Sequence, residues 1–94
     1  MANSPITTVH VIVKGRVQGV GFRYYAQRTA SEKGLKGWVR NRADGDVEAE
    51  ATGPKNDLES WIEDLRRGPS LGRVDHLNVD WRPAAAEYGE FSIR

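Results

Sequence analysis

Twice in 94 residues an alternating apolar run gives way to a helical one, and a hairpin stands between the two switches. Val9, Val11 and Val13 alternate with His10, Ile12 and Lys14, the period of a strand with one buried face. From Phe22 the spacing turns helical through Tyr25 or Ala26 and then Thr29 or Ala30, and Gly34 stands where a C-terminal cap belongs. Residues 35–41 and 46–52 read as the second and third strands, joined by the turn signal Ala43-Asp44-Gly45. Gly53-Pro54 opens a second helix, proline being tolerated in a first turn, and Leu58, Trp61, Ile62 and Leu65 lie on one stripe before Gly68-Pro69 closes it. Val74 to Trp81 reads as a fourth strand with Leu77, Val79 and Trp81 on one face, and Phe91 with Ile93 as a short fifth. The order is βαββαβ plus a terminal strand. Two βα units with a hairpin between them read as a split βαβ fold of the α/β (α+β) kind: a mostly antiparallel sheet with both helices on one face.

A chain of this length supports one core, so the expectation is a single domain over residues 1–94, with 1–7 as a flexible N-terminus. It contains no cysteine, which removes disulfides, thiol nucleophiles and thiolate metal sites and suits a reducing compartment. Fourteen basic and 13 acidic residues leave a net charge of +1, which argues against a general binder of nucleic acid or membrane surfaces. Any preference for anions must therefore be local. The N-terminus shows neither a basic n-region nor an apolar h-region, and no apolar run approaches membrane-spanning length. A cytoplasmic monomer is expected, since no coiled-coil pattern argues for assembly.

Residues Gly15 to Arg23 read Gly-Arg-Val-Gln-Gly-Val-Gly-Phe-Arg, at the junction of the first strand and first helix. Glycines let a loop turn its N–H groups inward, a helix start adds unpaired N–H groups and a positive dipole end, and Arg23 supplies a full charge. That combination suits a phosphoryl group. Glycine content alone leaves a plain strand-to-helix turn open, and it is Arg23 that favours an anion site. A Walker A reading fails because position 20 is Val20 and no Lys-Ser or Lys-Thr pair follows; a dinucleotide fingerprint from Gly19 fails at Tyr24. A second polar stretch, Gly37-Trp38-Val39-Arg40-Asn41, would bring Asn41 beside this loop if the first two strands share a sheet.

Together, Gly15-x-Val17-Gln18-Gly19-Val20-x-Phe22-Arg23 and Gly37-Trp38-Val39-Arg40-Asn41-x3-Gly45-x-Val47-x5-Gly53 resemble the two signatures of the acylphosphatase family. The signatures cover about a third of the chain, and element order and length match the family end to end. The resemblance implies a ferredoxin-like sandwich that hydrolyses the carboxyl-phosphate bond of small acyl phosphates without metal or other cofactor. It further implies that Arg23 is the phosphate-binding catalytic arginine, that Asn41 orients the attacking water, and that the backbone from Gly15 and Arg16 through Val17, Gln18, Gly19, Val20, Gly21 and Phe22 forms the cradle. The residue types suit that chemistry. An acyl phosphate expels a carboxylate whose conjugate acid has a pKa of roughly 4 to 5, so no general acid is needed. An asparagine amide does not titrate near neutrality, so Asn41 holds water in line rather than acting as a base, and a substrate phosphate oxygen takes the proton.

Arg42 stands where threonine often follows the asparagine in this family, so any role of that hydroxyl is missing here. Arg16, Arg40 and Arg42 read first as solvated strand-end charges and only second as anion attractors. His10 and His76 lack carboxylate or cysteine partners at metal-ligand spacing. Gln18 reads as a loop brace, Trp61 and Trp81 as packed, and Trp38 as partly exposed. RNA-recognition domains share the element order, but their third strand presents stacking aromatics, and here it carries Glu48 and Glu50, which repel a phosphate backbone.

Overall fold

The computed structural model describes residues 4–84 and 88–94. Its elements are β1 (Ile6–Arg16), α1 (Phe22–Glu32), β2 (Lys36–Asn41), β3 (Val47–Pro54), α2 (Lys55–Arg67), β4 (Arg73–Arg82) and β5 (Phe91–Ile93). Strand order across the single sheet is β4-β1-β3-β2-β5. All neighbours are antiparallel except β2 and β5, which run parallel. β3 sits between β1 and β2, and β1 between β3 and β4, so each strand-helix-strand unit is split by a strand of the other. The fold is ferredoxin-like, and the fifth strand sits at an edge.

Alternation in the sequence becomes one apolar sheet face. Val9, Val11 and Val13 of β1, Val47, Ala49 and Ala51 of β3, and Val39 of β2 are buried beneath the helices. Onto them α1 lays Phe22, Ala26, Thr29 and Ala30, and α2 lays Leu58, Trp61, Ile62 and Leu65. Trp61 is fully buried, meets Phe91 edge-on at 5.6 Å and donates its indole N–H to the Ala26 carbonyl at 3.2 Å. Truncating such a residue to alanine costs about 3–5 kcal/mol. The end of α1 is closed by Gly34 N–H on Ser31 O and Leu35 N–H on Ala30 O, both at 3.0 Å, as its glycine predicts.

Three expectations change. Trp81 and Val79 are not packed: Trp81 is 39% exposed, because β4 is an edge strand, and its ring is met by the Lys55 ammonium at 5.5 Å from the centroid. Pro54 ends β3 and forms the N-cap of α2 rather than entering its first turn. β1 starts at Ile6, where Ile6 and Thr7 pair with Pro54 and Gly53; of the flexible segment expected over 1–7, residues 1–3 lie outside the described residues. No helix among the described residues is long and apolar enough to cross a membrane.

Candidate active site

β1 reaches the end of the sheet through an irregularity between Lys14 and Gly15 opposite β4. Gly15 is required there, because a Cβ on it would lie 2.3 Å from the Arg73 carbonyl oxygen. Gly15 and Arg16 are thus the last residues of the strand. The loop proper is 17–21, and Gly21 caps α1 with φ 78°, a left-handed conformation that a side chain disfavours. Among the described residues, no hydrogen bond uses the backbone N–H of Gln18, Gly19, Val20, Gly21 or Phe22. No acidic residue stands in the first turn of α1, and no side chain caps it. Donors and positive dipole end are left available together.

A cavity of about 190 Å³ opens at this point, lined by Val17, Gly19, Gly21, Phe22, Arg23, Tyr24, Asn41 and Ile93. It is smaller than the roughly 300–1,000 Å³ of ordinary ligand pockets, which suits a phosphoryl-sized group better than a nucleotide. Arg23 enters it from α1, with Nη1 at 3.5 Å from the Arg94 carbonyl oxygen, the long limit of a hydrogen bond. Asn41 enters it from the end of β2, and its Oδ1 is buried with no partner among the described residues. A buried acceptor left alone costs about 1–3 kcal/mol, a penalty that bound water or ligand relieves.

The pieces are held from several sides. α1 is fixed by Tyr25 Oη donating to the Asp64 carbonyl at 2.7 Å, Lys33 pairing with Asp64 Oδ2 at 2.5 Å, and Gln27 Nε2 donating to the Phe91 carbonyl at 3.2 Å. Burial, then the nearby Asp64 charge, raises the Tyr25 pKa, which keeps its hydroxyl protonated as the donor. Gln18 braces the loop as expected: Nε2 donates to the carbonyls of Arg42 at 2.7 Å and Asp46 at 2.9 Å. These two residues close the turn after Asn41, with Arg42 N–H on Asp46 O at 2.8 Å and Gly45 N–H on Arg42 O at 3.3 Å. One amide therefore joins the loop to the turn that follows Asn41.

Of the residues expected in the cradle, Val17, Gly19, Gly21 and Phe22 line the cavity with Arg23 and Asn41, whereas Gly15, Arg16, Gln18 and Val20 do not. Val20 packs on the core. Arg40 pairs with Glu48 at 2.6 Å and Arg42 with Asp44 at 3.1 Å, so both cations are already engaged. They line, with Asn41, Ala43 and Asp44, a second depression of about 360 Å³ beside the first. On the sheet face away from the helices, His10 Nε2 meets Glu48 Oε2 at 2.6 Å, and Glu50 is held by Arg82 and Tyr88. Burial works to raise the Glu48 pKa, but hydrogen bonds from His10 and Arg40 outweigh it and hold the carboxyl below its ordinary value. Among the described residues no three His, Cys, Asp or Glu side chains are grouped to hold a metal. Two cavity residues, Tyr24 and Ile93, carry no motif signal; Tyr24 could have been found only by its place beside Arg23 in the first helical turn.

The family model described as Acylphosphatase matches residues 9–93. An acylphosphatase of Salinibacter ruber is 48% identical over 82 residues, covering 87% of this chain and 86% of the relative. The crystal structure of acylphosphatase from Bacillus subtilis superposes with a TM-score of 0.91 at 42% identity, covering 94% of this chain and 98% of that one. T. kodakarensis HypF gives a TM-score of 0.83 at 35% identity, and the match covers 94% of this chain but 12% of that much longer one.

Proposed function

The chain belongs to the acylphosphatase family, and from that premise we propose that it hydrolyses the carboxyl-phosphate bond of acyl phosphates in the cavity between the β1–α1 loop and the end of β2. The observation that carries this reading is the convergence, on one small cavity, of Arg23, loop glycines whose N–H groups have no internal partner, and the partnerless Asn41 Oδ1. Arg23 and the loop N–H groups hold the phosphoryl oxygens and stabilise the charge spread over them in a loose transition state. Asn41 Oδ1 accepts a hydrogen bond from water and holds it for attack at phosphorus, the P–O bond to the acyl group breaks, and the carboxylate departs without a proton. A phosphoryl oxygen of the substrate takes the proton from the water, since a guanidinium group and a side-chain amide offer no basic site for it. Charge stabilisation then comes from the protein itself, which supports metal-independent turnover by a single chain. A cytoplasmic location belongs to the same proposal, and the cysteine-free composition fits a reducing compartment without demanding one.

The test is an assay of the purified chain on benzoyl phosphate with chelator present, beside a simple phosphomonoester. Selective and chelator-resistant cleavage of the acyl phosphate is the expected result. Loss of activity on chelation with recovery on adding a divalent metal would count against the metal-free mechanism, and equal cleavage of the phosphomonoester against the leaving-group account.

A further inference from the structure

At about 190 Å³ the cavity takes a phosphoryl group but not an organic acyl body of any size in addition, so that body must lie at the mouth. Two side chains of largely apolar character are exposed there. Tyr24 is 67% exposed, and Ile93 is 39% exposed. Scattered apolar side chains in water are ordinary, and Ile6, Leu71, Val79 and Trp81 are further examples in this chain, but none of those lines the cavity. Tyr24 and Ile93 do, beside Arg23 and Asn41. The adjacent tyrosine shows the contrast: Tyr25 is half-buried and bonded to α2, whereas Tyr24 makes no hydrogen bond among the described residues. Among the described residues its ring also takes part in no aromatic pair and no cation–π contact.

Both side chains stand on fixed backbone. Tyr24 is in the first turn of α1, which is tied to β5 through Gln27 and to α2 through Tyr25. Ile93 ends β5, registered against Val39 of β2, and the next residue continues the contact with Arg94 N–H on Val39 O at 2.8 Å. An aromatic ring and a branched aliphatic chain carried on fixed backbone form an apolar rim at the cavity mouth. We propose that Tyr24 and Ile93 receive the apolar body of the acyl group, and that this chain therefore selects acyl phosphates with aromatic or branched acyl groups over acetyl phosphate. The inference rests on the acyl phosphate reading of the cavity and adds to it the class of leaving group.

The experiment compares benzoyl phosphate with acetyl phosphate in the wild-type chain and in Tyr24→Ser, Tyr24→Phe and Ile93→Ser, with inhibition by inorganic phosphate measured in each. Wild type is expected to show the lower KM for benzoyl phosphate. Tyr24→Ser should raise that KM about tenfold, the effect of no longer covering on the order of 50 Å² of apolar surface, and Ile93→Ser about threefold. Tyr24→Phe should retain the wild-type value. The KM for acetyl phosphate and the inhibition by phosphate should hardly move, a split that a general loss of structure would not produce. If the variants shift both substrates alike, or neither, while wild type cleaves both and is inhibited by phosphate, the rim is wrong and the reading of the cavity survives. A wild-type chain that cleaves neither substrate overturns both.

Discussion

The two strand-to-helix junctions of the sheet, β1 to α1 and β3 to α2, occupy equivalent places in the topology and are built oppositely. At the second, no residue intervenes: Pro54 ends β3 and caps α2, Lys55 N–H donates to the Pro5 carbonyl at 2.9 Å, and Asp57 sets a negative charge in the first turn. That arrangement complements the positive end of the helix. At the first, residues 17–21 intervene, no acid occupies the first turn, and Arg23 stands there instead. A cation at that end costs about 0.3–1 kcal/mol until an anion is bound. Stability alone would favour the second design twice over. The first is intelligible as a site that holds donors and charge in readiness for a phosphoryl group.

Exchanging features between the junctions should separate the two designs, and the largest effect is expected at Arg23. Arg23→Ala should lower kcat/KM by about 10³ and weaken inhibition by inorganic phosphate, while the melting temperature in phosphate-free buffer does not fall. A variant that melts earlier but turns over normally would make Arg23 structural. Asn41→Ala should cut kcat about 10²-fold with little change in KM, because water placement acts on the transition state. A pure KM effect in steady-state kinetics would move Asn41 to substrate binding. Gly15→Ala should destabilise the fold by about 2 kcal/mol in urea denaturation, since the added Cβ meets the Arg73 carbonyl oxygen at 2.3 Å. Wild-type stability there would show that β4 yields at no cost. Asp57→Ala should lower stability by about 0.5 kcal/mol and leave kcat/KM unchanged, as expected for a junction without a site.

Much of this was legible from local pattern. Valines at 9, 11 and 13 announced a one-faced strand, and the stripe from Leu58 to Leu65 announced α2, because side-chain period follows directly from backbone geometry. Gln18 reads correctly as a brace, though not onto which carbonyls. Trp81 fails for a reason outside its own segment: its alternation is that of a buried position, but β4 lies at the sheet edge. Gly15 reads as part of an inward-turning loop, whereas pairing with β4 keeps it within β1, where the close Arg73 carbonyl demands glycine. Ile93 was legible as part of the fifth strand, but neither its place nor that of Tyr24 at the cavity was, since exposure at a cavity mouth depends on what stands opposite.

By itself, the order of residues determined the elements, the family signatures and the two polar groups worth testing, because periodicity, turn chemistry and motif spacing are short-range properties of a chain. Only the tertiary structure decided that Arg23 and Asn41 line one cavity. They come from α1 and from a strand two places from β1 in the sheet, and insertion of β3 between β1 and β2 sets their separation across one cavity. It also decided which donors stay open, because a hydrogen bond is satisfied or left free by partners far away in sequence: the Pro5 carbonyl closes the start of α2, and among the described residues nothing does the same for the loop before α1.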